Sequence, residues 1–201
     1  MTAAPQKIYL ASRSPRRREL LKQIGVAFEM LVLREHPGRN VDVDESQQPQ
    51  ESPDEYVRRV ARLKAEAGWD RVVQRRLRRF PVLAADTVVC VDDIILGKPP
   101  DPAHAAKMLR LLSGREHRVL SAVALKLEDR LELVVSASRV RFAELSQADI
   151  ETYVASGEPT DKAGAYAIQG RAGAFVIELH GSYSGVMGLP LYETSQLLKT
   201  F

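Results

Sequence analysis

Two short stretches of this chain combine residue types that could do chemistry on a phosphorylated molecule. In Ala11-Ser12-Arg13-Ser14-Pro15-Arg16-Arg17 a strand-like run, Lys7 to Ala11, feeds a turn rich in Ser and Arg and then a helix. Such a junction aims unpaired backbone N–H groups and the positive end of a helix dipole at one spot, where anions bind. Ser12 and Ser14 add hydroxyl donors, and the guanidinium forks of Arg16 and Arg17 match phosphate oxygens. The competing reading is a plain Ser-Pro helix cap with surface arginines, because the turn lacks the glycines of a Walker or Rossmann loop. The second stretch is Leu83-Ala84-Ala85-Asp86-Thr87-Val88-Val89, which sets one acid inside an apolar strand. A buried carboxylate needs a partner or a task. Asp86 either neutralises Lys64 or Lys98 in a buried ion pair, or holds a metal or a water at a cleft.

Other polar residues say less one by one. Glu45, Lys64 and Lys98 are surface charges by default. The glycine-rich connection from Gly157 to Gly170 reads as a mobile loop or as the rim of a binding site. His36, His104, His117 and His180 show no metal-ligand spacing and are expected as surface or capping groups.

With 201 residues, 45% of them hydrophobic, the chain can bury a sizeable core as one compact globule of one or two lobes. No apolar run approaches the ~20 residues needed to cross a bilayer, and the N-terminus carries no signal-like apolar stretch. A cytoplasmic protein without membrane association is expected. Cys90 stands alone in an apolar run and reads as an inert core thiol. A net charge of +3 and a pI near 9.1 raise the question of nucleic acid. The cluster Arg75, Arg76, Arg78 and Arg79 is better placed at a helix end, with acids interspersed elsewhere, so no nucleic-acid partner is expected.

The elements that must hold these residues follow from pattern. A helix runs from Arg16 to Ile24, with Gly25 as a left-handed cap. Residues 34–50 form a loop. Ser52-Pro53-Asp54-Glu55 is a capping box opening a long helix that carries Val57, Val60, Ala61 and Lys64 on one face, with a break expected at Gly68. A strand spans Pro81 to Val91, followed by a tight Asp92-Asp93 turn into Ile94 to Leu96. A helix from Pro102 to Leu112 precedes a long hairpin, His117 to Leu127 and Arg130 to Phe142, around Glu128-Asp129. Ser146 caps a helix to Ser156, one strand covers Ala174 to Leu179, and the last helix is Leu191 to Leu198. Long antiparallel strands mixed with helices and few βαβ units define an α/β (mixed α+β) fold on a twisted mixed sheet with a cleft.

Taken together, the motifs closely resemble those of the Maf proteins, nucleoside triphosphate pyrophosphatases once described as septum formation inhibitors. The likeness spans nearly the whole chain. It is carried by Ala11 to Arg17 with Glu19-Leu20-Leu21, Val43 to Ser46, Arg62 to Ala65, Ala85 to Val89, Gly97-Lys98-Pro99, Asp161 to Tyr166, Ile168-Gln169-Gly170 and Val186 to Pro190. The resemblance implies one domain over residues 1–201, with two lobes around a cleft and flanking helices, similar to inosine triphosphate pyrophosphatases. It also implies hydrolysis between the α and β phosphates, a divalent cation (Mg²⁺ or Mn²⁺), and a homodimer. Asp86 corresponds to the proton acceptor, and Arg16, Thr87 and Gln169 to positions that set the substrate. Relatives acting on 7-methyl-GTP look like Ser-Pro-Trp-Arg, Ser-Asp-Gln and Ser-Glu-Gly at those three places. This chain looks like the group acting on dTTP and UTP.

Elementary chemistry agrees with that choice. A methylated guanine is cationic and favours an aromatic face, which Arg16 does not supply. The Gln169 amide offers an acceptor for the N3–H of uracil or thymine and donors for a neighbouring carbonyl. An ordinary aspartate is a weak base toward bulk water, so the implied mechanism needs a metal. In it Glu45 and Asp86 hold the ion, while Arg16, Arg17, Lys64 and Lys98, with Ser12 and Ser14, bind phosphate. Arg13 stands where the motif often has a small residue, and either adds phosphate affinity or points outward. The rival readings are a nucleotide-binding regulator of septum formation without turnover, and a nucleic-acid binder. Neither gives Asp86, Lys64 and Lys98 a task.

Overall fold

The computed structural model describes residues 7–34 and 42–201. Its centre is a seven-stranded mixed sheet: β1 (Ile8–Leu10), β2 (Phe28–Met30), β3 (Val82–Val91), β4 (Ile94–Leu96), β5 (Glu116–Leu127), β6 (Arg130–Phe142) and β7 (Val176–His180). The order is β2-β1-β3-β5-β6-β7, with β4 paired to β3. β1 runs parallel to β2 and β3, and every other pairing is antiparallel. The expected mixed sheet with flanking helices is therefore the observed one.

One irregularity of this sheet positions the site. β1 pairs with β3 only at Val82 and Leu83, and β4 takes the same edge from Val89 to Val91. Between them, residues 84–88 of β3 have no strand beside them on that edge. The backbone groups exposed there must find other partners, and the turn after β1 supplies them.

Side chains of β3 alternate between faces, as the two-residue period requires. Val82, Ala84, Val88 and Cys90 pack in the core beneath helix α2 (Pro53–Gln74). Leu83 and Ala85 face a second core with α1 (Pro15–Gln23) and α6 (Leu191–Leu198), and Val89 and Val91 a third with α3 (Pro102–Leu112) and α4 (Gln147–Ala155). Asp86 thus points toward α2, while Thr87 lies on the opposite face where the second and third cores meet.

The long helix α2 starts at the expected capping box, with the Ser52 side chain accepting from the Glu55 N–H and Glu55 reaching back to Ser52. It buries Val57, Val60, Ala61, Ala65, Gly68, Trp69 and Val72, spaced three and four apart. Lys64 falls on this same stripe, so its stem crosses the core and its ammonium emerges beside β3. The expected break at Gly68 is absent. A Cβ at Gly68 would lie 2.7 Å from Val82 Cγ1 and 3.3 Å from Ala11 Cβ, so glycine there lets the helix lie close on the sheet rather than end. The arginine cluster follows the end of α2 instead of forming its last turn; Arg79 pairs with Glu128, and Arg78 lies over the Phe80 ring.

Both predicted tight turns form. Asp92 and Asp93 take φ of 49° and 60°, the left-handed pair that closes a two-residue hairpin, and Glu128 takes 54° in the turn between β5 and β6. The strand expected from Ala174 starts at Val176, because 171–175 form a 3₁₀ turn. β2, the short helix α5 (Tyr183–Val186) and the 3₁₀ turns at 158–161 and 163–165 had no sequence counterpart.

His117 corrects an expectation. It is only 2% exposed, it sits between Phe142 and Tyr166 with ring centroids at 5.0 and 5.4 Å, and its Nε2 lies 2.9 Å from the Tyr166 hydroxyl. Burial lowers its pKa to about 4, against a smaller raising effect of the Arg115 backbone. The flanking Glu116 and Arg118 suggest a surface position, yet those side chains point to the other face of β5. His104 and His180 are exposed, and His36 lies outside the described residues. Cys90 is buried as expected, and burial raises its thiol pKa.

Candidate active site

The turn after β1 docks on the unpaired edge of β3. The Ala11 N–H donates to the Leu83 carbonyl at 2.8 Å, continuing the parallel ladder one residue further. Ser12, 9% exposed, accepts the Ser14 N–H at 3.2 Å through its Oγ. Ser14 occupies the cap position of α1 with Pro15 next, but its side chain makes no capping bond. The hydroxyl therefore does not serve as an ordinary helix cap. It lines a cleft of about 730 Å³ that opens over the gap in the sheet.

Arg17 and Arg16 differ in what they meet. The Arg17 guanidinium donates to the carbonyls of Gly188 (2.8 Å) and Ala85 (2.7 Å), and to the hydroxyls of Ser12 (3.2 Å) and Thr87 (3.3 Å). It thereby ties the turn, the open edge of β3 and the end of α5 together, a bracing role that residue type did not reveal. Arg16 is half-buried on the cleft wall and makes no ion pair with a described residue. Burial lowers its pKa, with Asp161 and Tyr153 acting in the opposite direction. Arg13 matches neither of its two alternatives alone: it is exposed and lines the cleft, and it also donates to the Leu33 carbonyl at 2.9 Å, a bracing contact.

Asp86, 8% exposed, meets Lys64 as one of the two foreseen partners. Lys64 Nζ lies 2.9 Å from Asp86 Oδ1 and 3.0 Å from Glu45 Oε2, so one ammonium bridges two carboxylates. Glu45 is brought there by α2. Arg59 donates to the carbonyls of Asp44 (3.2 Å) and Ser46 (2.8 Å), and the Tyr56 hydroxyl donates to that of Glu45 (2.8 Å). Arg59 is itself fixed by both carboxylate oxygens of Glu51, at 2.6 and 2.9 Å. The Tyr56 pKa is pushed up to about 12 by burial and then by the charges of Asp86 and Glu45. Neither Tyr56 nor Arg59 stood out in the sequence, since both are ordinary residues of an amphipathic helix.

Thr87 is locked on the far face: its hydroxyl lies 2.8 Å from that of Ser121, its cross-strand partner on β5, and Ser121 Oγ donates to the Gly185 carbonyl at 2.6 Å. Ser121 was missed, although a lone hydroxyl in Val119-Leu120-Ser121-Ala122-Val123 is the same kind of anomaly as Asp86. Lys98 is exposed at the cleft after β4, without an ion pair to a described residue, and Gly97 before it accepts the Gly164 N–H at 3.1 Å. Gln169 lies exposed on the rim. The cleft thus gathers all ten residues named from the sequence except that Arg17 serves largely as a brace within it.

Among the described residues no group of three or more His, Cys, Asp or Glu side chains could hold a metal ion. The donor set still fits a hard divalent cation. Two carboxylates already converge within about 3 Å of one ammonium, and Mg²⁺ is commonly bound by one or two carboxylates completed by substrate phosphates.

Cations and hydroxyls gathered at a break in a mixed sheet, around a buried carboxylate, define a protein equipped to bind and transform a polyanionic small molecule. The chain belongs to the Maf-like protein family, whose model matches residues 7–201. It is similar to the dTTP/UTP pyrophosphatase of Nitrosomonas europaea, 57% identical over 99% of this chain and 96% of the relative, and to that of Nitrosospira multiformis, 56% identical over the same shares. A more distant solved structure, the Ham1 protein of Staphylococcus aureus, covers 69% of this chain and 72% of its own at 19% identity and a TM-score of 0.46.

Proposed function

We propose that this protein hydrolyses dTTP and UTP at the α–β anhydride, releasing the nucleoside monophosphate and pyrophosphate. The observation that carries the reading is the Asp86–Lys64–Glu45 trio facing a cleft that also presents Arg16, Lys98 and the Ser14 hydroxyl. Full-length relatives at 56–57% identity carry that activity in their names. Water adds across the anhydride: its oxygen forms the new bond to phosphorus, the bridging oxygen leaves with pyrophosphate, and Asp86 accepts a proton. Lys64 holds and orients the Asp86 carboxylate for that task, at the hydrogen-bonding distance already present. Arg16, Lys98 and Ser14 offset charge on the phosphates, while Arg17 fixes the turn that presents them.

Glu45 and Asp86 are the residues that would hold Mg²⁺ or Mn²⁺. Such an ion supplies charge neutralisation on the phosphates and activation of water. In this reading Gln169 pairs with the pyrimidine edge, and Arg16 and Thr87 complete the selection of the base. The protein works as a homodimer in the cytoplasm, with nucleoside triphosphate rather than nucleic acid as its partner. The dimer rests on the family resemblance, the compartment on the lack of long apolar runs in the sequence, and the exclusion of nucleic acid on the scatter of acids among the arginines. No described helix is long and apolar enough to cross a membrane.

Pyrophosphate release measured over dTTP, UTP, CTP, GTP and 7-methyl-GTP, with and without Mg²⁺ or Mn²⁺, tests the proposal. Release from dTTP and UTP that depends on the cation is expected. Tight nucleotide binding with no turnover under any condition would instead favour a regulator. Gln169→Glu is expected to shift the UTP to 7-methyl-GTP preference; an unchanged ratio removes Gln169 from base reading.

A further inference from the structure

The side chain of Gln169 makes no hydrogen bond with a described residue, yet the backbone on either side of it is pinned by one carboxylate. Two residues earlier, the Ala167 N–H donates to the Tyr153 hydroxyl at 3.2 Å, and that hydroxyl donates to Glu158 Oε1 at 2.9 Å. Two residues later, the Arg171 N–H donates to Glu158 Oε2 at 3.2 Å. The Gly170 N–H closes the turn on the Ala167 carbonyl at 3.0 Å. Gly170 also lies directly against the carboxylate: a Cβ there would fall 2.2 Å from Oε1 and 2.6 Å from Cδ. Its φ of −103° is open to any residue, so the need for glycine comes from Glu158 and not from the backbone.

The post itself is well anchored. Tyr153 is 3% exposed on α4, a helix opened by a Ser146–Asp149 capping box, and its ring packs edge-on against Phe175 at 5.2 Å. Burial and the bond to Glu158 raise the hydroxyl's pKa, which keeps it a neutral donor. Arg16, across the cleft, is within electrostatic reach of the same hydroxyl.

We propose that Glu158, working partly through Tyr153, is a positioning residue for base selection: its carboxylate clamps the 167–171 turn so that Gln169 faces the cleft, and Gly170 is what admits the clamp. The inference rests on the reading of Gln169 as the base-contacting residue. A turn released from both of its pins lets the amide drift, and geometric misplacement of a contact group by about 1 Å can cost large factors in selectivity.

The test measures kcat and KM for UTP and GTP, and inhibition by inorganic tripolyphosphate, in the wild type, Gln169→Ala, Glu158→Ala, Glu158→Gln, Gly170→Ala and the double variant Glu158→Ala/Gly170→Ala. Glu158→Ala should lower the UTP to GTP preference about tenfold through KM for UTP, leaving tripolyphosphate inhibition unchanged. Glu158→Gln should fall between the wild type and Glu158→Ala, since its one amide oxygen still accepts from Arg171 while the Tyr153 proton loses its acceptor. Gly170→Ala should reproduce the Glu158→Ala loss, and the double variant should add nothing, because the two changes break one contact.

Loss of activity shared equally by UTP, GTP and tripolyphosphate binding would mark the clamp as merely structural and overturn the proposal. Wild-type preference in Gly170→Ala would overturn it too, and that variant decides the matter even if Glu158→Ala does not fold. A wild type without pyrimidine preference overturns the parent reading as well. A wild type whose preference is lost in Gln169→Ala but not in Glu158→Ala or Gly170→Ala overturns this inference alone.

Discussion

The two walls of the cleft are built on different physical terms. One wall hangs on regular elements: Asp86 and Thr87 on β3, Lys64 on the buried stripe of α2, and the Ser12–Arg17 turn seated on the open edge of the sheet. The other, residues 157–171, consists of 3₁₀ turns with left-handed backbone at Gly157 (φ 73°), Gly164 (67°) and Ala165 (59°). It stays in place through posts that reach it from behind, namely Tyr153, Val89 and His117, and through the Glu158 carboxylate within it. Groups that must meet a reacting phosphate belong on stiff strands and helices. A rim that reads the variable part of a ligand can change its sequence without disturbing the sheet, provided its posts hold.

The sharpest way to break this comparison is to remove the charge on the stiff wall. Asp86→Asn preserves shape and leaves Lys64 paired with Glu45, so turnover should fall by roughly 10²–10⁴-fold with the thermal midpoint nearly unchanged. An Asp86→Asn protein with wild-type kcat would relocate the chemistry.

The posts of the irregular wall should show themselves in stability instead. His117 is buried neutral, with a folded pKa of about 4 against about 6.5 when unfolded, so the unfolded chain binds the extra proton first. Its contribution is complete above about pH 6.5 and is lost as pH falls toward 4, on the order of 3 kcal/mol in all. Denaturant unfolding across that window should fall less steeply in His117→Leu than in the wild type, and parallel curves would show that His117 does not titrate there.

A smaller effect is expected where the irregular wall touches β3. A Cβ at Gly164 would lie 2.8 Å from Val89 Cγ1, on a left-handed backbone, whereas a Cβ at Gly25, also left-handed, meets nothing within 4 Å. Gly164→Ala should cost about 2 kcal/mol or more and Gly25→Ala about 1 kcal/mol. Equal losses at the two sites would mean that the rim does not pack closely on the strand.

What was legible in the sequence follows the same division. Capping boxes, the Asp-Asp turn, the long hairpin and the helical stripes are local signals, and each produced its element within a few residues. Asp86 was conspicuous because a charge in an apolar strand breaks the pattern around it. Ser121 breaks its pattern more quietly, because a small hydroxyl is far less costly to bury than a charge. His117 reads as a surface group because its neighbours in sequence are charged, while its neighbours in space are Phe142 and Tyr166. Gly68 reads locally as a helix breaker, although its cost in the helix is offset by the close packing on Val82 and Ala11.

The sequence by itself thus determined the order of elements and singled out the residues that gather in the cleft, since these depend on periodicity, capping and residue chemistry. Only the tertiary structure decided how they share the work. That Lys64 bridges Asp86 to Glu45 depends on where α2 crosses β3, and that Arg17 braces while Arg16 faces the cleft depends on which carbonyls the gap between β1 and β4 leaves open. Such assignments are set by contacts between segments tens of residues apart, of which local pattern carries no trace.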